Sequence, residues 1–502
     1  MANMQPNKSI QISCEREEKT EEFKVAVKLD CEADKKLSKI HIIKPLARVT
    51  QKDIVDGALS VQGTVEVMAT YETDDGKIAF VKGEANFLQN VTVAGSNNIL
   101  VQVAAKEAEV VAQTDNSISL NILVHLNIAS IVSEEVGKEI DDAAGLVFEK
   151  SEIEVSKVLG ASNANFSVVA DKAIKLSESA TIISREAEAV LLSCSAGIDA
   201  VVLEGVLYVG VLVEDGDELK DIKYNVPFKE EVECFGANPG SAIDASVRVG
   251  SLMAGIIPAD GDSTISVTAE INSKQVVYAT EEMSVISDAY SVMEYTNLSV
   301  ECTHISSISN ATAVQGSVNL SADILARIGV DEVIGVVNPK LYVSNVIMQD
   351  EMAKVEGVVE ATIFYKNNME ESICSLTQAM PFEMNIQDTG KATNLSDFKI
   401  VIDNFKLKAG VSVEIDATIF ARGYQMVERE VVYVSDIEMT GEERKTQAAI
   451  RIYTTTESDT LFGIAKQLGV TIETLLAQNP ELENGVIAGM RVFVYIPLVA
   501  NF

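Results

Sequence analysis

Tryptophan is absent from this sequence, and only three histidines occur, at His41, His125 and His304. A zinc site needs three or four converging ligands, and these histidines have neither helical spacing nor a neighbouring cysteine pair, so we predict no metal site. A sugar-cleaving cleft usually offers large flat aromatic faces, so the missing tryptophan argues modestly against one. Neither a G-x-S-x-G elbow nor a P-loop is present, which argues against the hydrolases and nucleotidases that depend on them. We therefore expect no catalytic residues and no cofactor.

Basic residues are also scarce, with 40 lysines and arginines against 75 aspartates and glutamates and a net charge of −35. Nucleic acids and anionic membrane surfaces bind proteins that carry clustered Lys and Arg, so neither is an expected partner. A cationic partner, or solubility alone, fits this charge better. Carboxylate pairs at the spacing of a glycosidase will arise by chance among so many acidic residues, so such pairs carry no information about catalysis.

The chain has no long hydrophobic run and no closely spaced cysteines. Its longest apolar stretch, residues 206–213, is far shorter than the ~20 residues of a membrane-spanning helix. The six cysteines include no C-x-x-C pair and are interpreted as reduced, mostly buried thiols in a reducing compartment. The first residues show no basic region followed by an apolar core, so no signal peptide is expected. These features predict a cytoplasmic protein with no membrane insertion.

Most of the sequence instead shows alternation of apolar and polar residues, which is typical of half-buried strands. Three similar segments each carry a glycine within the alternation and, after a turn, a phenylalanine. The pairs are Gly63 with Phe87, Gly205 with Phe228, and Gly357 with Phe382. Copies spaced about 140–150 residues apart are whole domains and not solenoid units. A glycine inside a strand usually marks a bulge or a close backbone approach, and a phenylalanine there is a core residue by default.

The C-terminal residues show a different order, a strand, two short helices and a strand. The first helix has one apolar stripe at helical spacing. The stripe consists of Leu461, Ile464, Ala465 and Leu468. Ser458 or Asp459 is suited to cap the start of this helix, and Gly469 is suited to end it in a left-handed conformation. Thr471 offers a second N-cap, and Asn479 followed by Pro480 marks the end of the second helix.

This capped strand–helix–helix–strand unit resembles the LysM domain, which holds N-acetylglucosamine polymers and in some proteins holds another protein. The resemblance implies a ligand groove between the loop before the first helix and the loop after the second. The residues at those positions are Ser458, Asp459, Thr460, Leu461 and Phe462 on one side, and Glu483, Asn484, Gly485, Val486 and Ile487 on the other. The family commonly has Gly-Asp-Thr where this chain has Ser458-Asp459-Thr460, and losing that glycine restricts the backbone there.

Three β repeats followed by a LysM module resemble the SPOCS-domain family of clostridial sporulation proteins. The expected fold is mainly β, with three repeated β-sandwich-like or barrel-like SPOCS domains at residues 1–145, 146–295 and 296–445 and a small βααβ LysM domain at 446–502. The resemblance implies a non-catalytic scaffold in the mother-cell cytoplasm, at the forespore surface, whose LysM module docks on the ATPase of the spore-coat basement layer. Exposed strand edges could also pair copies of the chain. The alternative is binding of peptidoglycan or another N-acetylglucosamine polymer.

Overall fold

The structure is a computed structural model that describes residues 10–55, 58–93, 99–136, 145–216, 218–259, 262–308, 311–323, 330–367, 372–408, 412–444 and 450–496. These residues form twenty-two strands, two α-helices and one 3₁₀ helix, which confirms the mainly β fold expected from the alternation. In chain order the strands are β1 Ile10–Asp30, β2 Leu37–Val55, β3 Ala58–Thr73, β4 Ile78–Thr92, β5 Ile99–Thr114, β6 Ser117–Val136, β7 Leu146–Ile174, β8 Thr181–Ala196, β9 Ala200–Asp215, β10 Glu218–Glu233, β11 Ala242–Ile257, β12 Ser263–Ser291, β13 Glu294–Ile308, β14 Thr312–Asp323, β15 Val330–Gln349, β16 Met352–Asn367, β17 Ser372–Ile386, β18 Asn394–Lys408, β19 Ser412–Tyr424, β20 Met426–Glu443, β21 Ile450–Thr454 and β22 Arg491–Tyr495. Between β21 and β22 lie α1 Leu461–Leu468, α2 Ile472–Gln478 and the 3₁₀ helix Pro480–Asn484.

Each of the three β repeats contains two three-stranded antiparallel sheets, and the strand orders correspond from one repeat to the next. One sheet is a meander, in the orders β2-β3-β4, β8-β9-β10 and β15-β16-β17. The other has the orders β1-β6-β5, β7-β12-β11 and β14-β19-β18. The middle meander strands β3, β9 and β16 carry the repeated glycines, so the repeated sequence pattern corresponds to a repeated fold. The four domain boundaries given above stay a prediction.

The two sheets of each repeat enclose an apolar core. On β9, Leu203, Leu207 and Val211 point inward and are at most 1 % exposed. Successive side chains of a strand point to opposite faces of its sheet, which is why the alternation marks one buried face. Burying one such side chain contributes ~1.5–3 kcal/mol, so these cores are the main favourable term in folding.

In every repeat, the glycine and the phenylalanine of the sequence motif are direct cross-strand partners. The pairs are Gly63 with Phe87, Gly205 with Phe228 and Gly357 with Phe382. The ring lies over the glycine, so that a Cβ at Gly357 would come within 2.9 Å of Phe382 Cε1. The strand on the other side of each glycine has a register shift, between Val343 and Asn345 in the third repeat. The predicted bulge or close approach is thus confirmed, and the bulge lies on the partner strand.

The three repeats pack against one another around a shared apolar cluster. Each repeat supplies two buried side chains, which are Ile42 and Ile78, Ile183 and Leu212, and Val337 and Phe364. A buried ion pair accompanies this cluster, since Glu66 of β3 lies 3.6 Å from Arg185 of β8 and the two side chains are 9 % and 8 % exposed. Removing one partner of such a pair leaves the other charge buried and unpaired, which is strongly destabilising. The repeats are therefore joined by contacts that their sequence pattern does not reveal.

His41 lies at the contact between the first and third repeats. Its Nδ1 is 2.6 Å from Oγ of Ser375 on β17, and its ring centroid is 5.5 Å from that of Phe364 on β16. Burial, followed by the charge of Lys39, lowers the pKa of His41 to about 4. The imidazole is therefore neutral in the folded protein at neutral pH.

Stability that depends on this neutral histidine is expected to be lost on acidification. The unfolded chain takes up the proton near pH 6.5 and the folded chain only near pH 4, so the stability is complete above pH 6.5 and falls towards pH 4 by roughly 2–3 kcal/mol. Asp221 acts in the opposite direction, because burial raises its pKa to about 6 and protonation then removes a buried charge. The contribution of His41 is therefore measured as the difference in urea unfolding between the natural chain and His41→Gln across this pH range. Parallel pH profiles for the two proteins would contradict the prediction.

Two strands of the second repeat extend well beyond its core. Strands β7 and β12 have 29 residues each and stay paired to their ends, where Leu146 faces Ser291. In the third repeat the corresponding strands are interrupted. Their inner parts, β14 and β19, belong to the repeat's own sheet, and their outer parts, β13 and β20, pair as a separate two-stranded ribbon. The two ribbons pack on each other through an apolar cluster that includes Met283 and Val431. We call this pair of ribbons the neck, and the C-terminal module lies at its end.

Candidate binding site on the C-terminal module

Helix α1 of the C-terminal module has well-defined ends. It begins after Thr460, whose Oγ1 accepts a hydrogen bond from the Gly463 N–H at 3.0 Å. It ends at Gly469, which has a φ of 66° and confirms the predicted left-handed cap. The prediction that Ser458 or Asp459 caps this helix is wrong by one or two residues, because the chain turns into the helix only after Thr460.

Replacing Thr460 by alanine is expected to lower the free energy of unfolding of the module by about 1 kcal/mol, because one N–H of the first turn loses its acceptor. Ser458→Ala is the matched control, since Ser458 is exposed and its hydroxyl lies 3.4 Å from that of Thr456. Hydrogen exchange of the α1 amides measures both effects. Equal losses in the two variants would show that Thr460 is not the cap.

Thr455 joins the two loops between which the groove is predicted. Its side chain is buried, and its Oγ1 donates to the Ile487 carbonyl at 2.5 Å and accepts from the Met490 N–H at 2.9 Å. Its own carbonyl accepts from the Gly489 N–H at 2.8 Å. The loop before α1 and the loop before β22 are therefore fixed to each other.

Most of the predicted groove residues lie at the surface of the module. Those that are exposed are Ser458, Thr460, Glu483, Asn484, Gly485 and Ile487, and those that are partly buried are Asp459, Leu461 and Val486. Phe462 differs from the others, because its side chain is packed inward and is 6 % exposed. The side chain of Phe462 therefore belongs to the core of the module, and only its backbone is left for a ligand.

The carboxylate of Asp459 stabilises the loop before α1 through hydrogen bonds within that loop and to β21. It accepts hydrogen bonds from the Thr456 N–H at 2.6 Å and from the Tyr453 hydroxyl at 3.1 Å. These bonds, with the backbone bond from Thr456 first, hold the pKa of Asp459 below its usual value. Asp459 is therefore ionised at neutral pH, and both of its oxygens are engaged within the loop.

Helix α1 also attaches the module to the neck. Tyr290 of β12 is fully buried, its ring centroid lies 5.1 Å from that of Phe462, and its hydroxyl donates to the Val470 carbonyl at 2.7 Å. Lys466 of α1 donates to both carboxylate oxygens of Asp288, at 2.6 and 2.5 Å. One face of α1 is thus covered by the second repeat, while the two loops stay exposed.

The strand order, the two capped helices and the joined loops fit the resemblance to a known module. Residues 453–494 match the LysM domain family. The matched range contains all ten predicted groove residues and confirms the resemblance for the C-terminal module. No curated protein and no solved structure was found to match the chain. Among the described residues, no helix is both long enough and apolar enough to span a bilayer.

Two side chains at the end of α2 complete the sheet of the LysM domain. Asn479 is 1 % exposed, and its side-chain amide donates to the Phe493 carbonyl at 2.7 Å and accepts from the Phe493 N–H at 2.8 Å. Gln478 forms the same pair of bonds with Tyr495, at 3.1 and 2.6 Å. These side chains occupy the backbone edge of β22, so a partner strand cannot add there. From the sequence, Asn479 was expected only to end a helix, and no pattern in the sequence indicates this second role.

The ribbon of β21 and β22 leaves one apolar face in solvent. Ile450 pairs with Tyr495 and Ile452 pairs with Phe493, and these four side chains are 47 % to 61 % exposed. We call these four residues the outer face of the LysM domain. Contiguous exposed apolar residues of this kind often mark an interaction site. The available sequence signal for this face, which was missed, is the alternation of Phe493 and Tyr495 with buried Val492 and Val494.

Proposed function

We propose that this protein is a non-catalytic scaffold whose LysM domain binds a polymer of N-acetylglucosamine, such as peptidoglycan. The main support is the LysM match over residues 453–494, which spans both loops of the predicted groove. Thr455 fixes the two loops to each other through its own hydrogen bonds. Loops that are held together within the protein lose less conformational entropy on binding, which favours affinity.

The exposed groups of the two loops suit an acetamido sugar. Its N–H and C=O can pair with backbone groups, and its methyl group needs an apolar contact. Leu461 and Val486 are partly buried beneath the loops, and Ile487 is 68 % exposed beside them. Asp459 is engaged within its loop, so recognition of the sugar does not depend on that charge.

A substitution at Ile487 tests the groove. Ile487→Asp is expected to weaken co-sedimentation with purified peptidoglycan at least tenfold, because a charge replaces the apolar contact. The double variant Ile450→Thr/Ile452→Thr changes the outer face and is expected to sediment like the natural chain. The measurement is the fraction of full-length protein in the pellet across a peptidoglycan titration. If the natural chain stays entirely in the supernatant at micromolar concentration, the proposal of glycan binding is rejected.

A second candidate function, assembly of the endospore coat, is favoured by the outer face. A flat apolar patch of isoleucine and aromatic side chains suits a protein partner better than a sugar. The order of three β repeats and a LysM domain resembles that of SipL, a spore-coat morphogenetic protein. In this proposal the chain acts in the mother-cell cytoplasm at the forespore surface, and its LysM domain docks on the ATPase that polymerises as the coat basement layer.

The same two variants separate the two functions. If the chain assembles on the coat, full-length protein should capture the coat ATPase from a sporulating lysate, as identified by mass spectrometry. Ile450→Thr/Ile452→Thr should reduce this capture at least tenfold, whereas Ile487→Asp should leave it unchanged. No enrichment of the ATPase over bare beads, or full capture by the outer-face variant, would contradict docking through this face.

A further inference from the structure

A cavity of about 180 Å³ lies between the first and second repeats. Strands β2 and β5 of the first repeat line one side, and β7, β11 and β12 of the second repeat line the other. Since a water molecule occupies about 30 Å³ of liquid volume, the space is sufficient for a small organic molecule. A bound molecule would therefore contact both repeats.

The lining of this cavity is cationic and rich in amides, although the protein as a whole carries a net charge of −35. Lys52 and Arg248 line it together with the amides Gln102, Asn163 and Asn272, and no aspartate or glutamate is among the described lining residues. Only 40 of the residues of this chain are basic while 75 are acidic. A cavity with cations and no carboxylate is therefore unexpected by composition.

Lys52 and Arg248 form no ion pair with a carboxylate of the described residues, although Lys399, which lies near Arg248, is paired with Glu188 at 3.0 Å. Lys52 Nζ donates to the Ile99 carbonyl at 2.5 Å and to Oδ1 of Asn163 at 3.1 Å, which are both neutral acceptors. Within the part of the chain that the structure describes, no carboxylate lies within ion-pair distance of Arg248. Partial burial, followed by the charge of Arg248, lowers the pKa of Lys106, so a third cation lies close by.

Two buried polar atoms at the cavity, Nε of Arg248 and Oδ1 of Asn272, make no hydrogen bond with any residue that the structure describes. Glu270 lies two residues before Asn272, but its carboxylate binds Arg48 and accepts from the Ser251 hydroxyl at 3.2 Å. An unpartnered buried donor on a cation is costly, and a ligand oxygen would relieve that cost.

We propose that this cavity binds a small molecule carrying a carboxylate or phosphate group, whose oxygens are held by Arg248 and Lys52. Asn272 and Gln102 face the remaining polar groups of the ligand. Because both repeats supply contacts, the bound anion also clamps the first repeat to the second. We define these residues together as the anion cavity.

The larger cavity of about 240 Å³ at the junction of the three repeats does not carry this chemistry. Lys44 there lies 3.6 Å from Glu186, and Glu188 lies 3.0 Å from Lys399. Lys223 lies 3.4 Å from Asp221, and Asp403 accepts a hydrogen bond from the Thr418 hydroxyl at 2.7 Å. A ligand there would have to break existing ion pairs. In the anion cavity, by contrast, Lys52 and Arg248 are in no ion pair with another described residue, and Nε of Arg248 is a buried donor without an acceptor among those residues.

Isothermal titration of the full-length protein, at constant ionic strength set with sodium chloride, tests the proposal. The probes are inorganic phosphate and citrate, titrated separately, so that the two arms distinguish a phosphate site from a carboxylate site. We expect one site per chain for at least one probe, together with an increase in thermal unfolding temperature, because a ligand of the folded state stabilises it. Arg248→Met is expected to weaken binding at least tenfold.

Two further variants keep the test decisive. Asn272→Asp is nearly isosteric and should also weaken binding at least tenfold, because it adds a negative charge to the cavity, and it serves if Arg248→Met does not fold. Arg429→Met is the control, since Arg429 is exposed on β20 and is not among the residues lining the cavity. If the natural chain binds neither probe, or if Arg248→Met and Asn272→Asp bind as the natural chain does, the cavity is not an anion site and the proposal is overturned.

Discussion

Replacing Phe228 by alanine is expected to lower the free energy of unfolding of the second repeat by about 3–5 kcal/mol, which is the usual cost of emptying a core phenylalanine site. Phe228 is 8 % exposed, and its ring lies 5.7 Å from that of Phe166. The ring also covers Gly205, its cross-strand partner, so its removal exposes backbone that has no side chain of its own. Urea unfolding followed by circular dichroism measures the loss as an earlier transition.

Phe235→Ala is the matched control for this prediction, because Phe235 lies in the same repeat and is 74 % exposed. Its expected effect is within about 0.5 kcal/mol. Gly205→Ala should also destabilise, by about 1–3 kcal/mol, since the new Cβ would come within 2.8 Å of Phe228 Cε1 and press on the Val190 carbonyl. If Phe228→Ala and Phe235→Ala behave alike, the glycine–phenylalanine pair has no structural role.

Replacing Tyr290 by alanine is expected to detach the LysM domain from the neck. The side chain is fully buried against Phe462, and its hydroxyl donates to the Val470 carbonyl. We expect a loss of about 3–5 kcal/mol in the free energy of unfolding of the LysM domain, as for other large core truncations. Hydrogen exchange of the β21 and β22 amides, measured on the full-length chain, reports this loss as faster exchange.

Tyr290→Phe measures the contribution of the hydroxyl group to stability separately from that of the ring. It keeps the contact with Phe462 but leaves the Val470 carbonyl without its donor, which should cost about 1–3 kcal/mol. Tyr342→Ala in the third repeat is the control, because its side chain is 49 % exposed. Unchanged exchange of β21 and β22 in Tyr290→Ala would mean that the LysM domain does not depend on the neck.

The strands that carry the repeated glycines could be predicted because a sheet with one buried face imposes a period of two on its sequence. The pairing of Gly205 with Phe228 could not, since register depends on the turn between two strands and on a bulge in a third. The packing of the repeats against one another could not be predicted from the sequence either, for a different reason. Ile183 and Leu212 resemble any other strand residues until the neighbouring repeats are placed against them.

In the LysM domain, too, features that depend on neighbouring residues were predicted, and features that depend on residues distant in the sequence were not. Gly469 and Thr471 were predicted correctly because helix caps depend on a few adjacent residues. Asp459 and Thr460 are both good capping residues, and only the backbone path decides between them. The inward position of Phe462 depends on Tyr290, which lies far away in the sequence, so no local pattern predicts it.

The long strands of the neck have a mechanical consequence. At about 3.3 Å per residue, the 29 residues of β7 or β12 give a contour length of roughly 95 Å between the LysM end and the far side of the second repeat. Ladder hydrogen bonds in an antiparallel pair run perpendicular to the strands. The LysM domain follows β20 in the chain and contacts β12 through Tyr290 and Asp288. A pull on this domain along the axis of the neck would therefore be shared by both ribbons, and it would load their ladder bonds in shear and together and would not unzip them one by one.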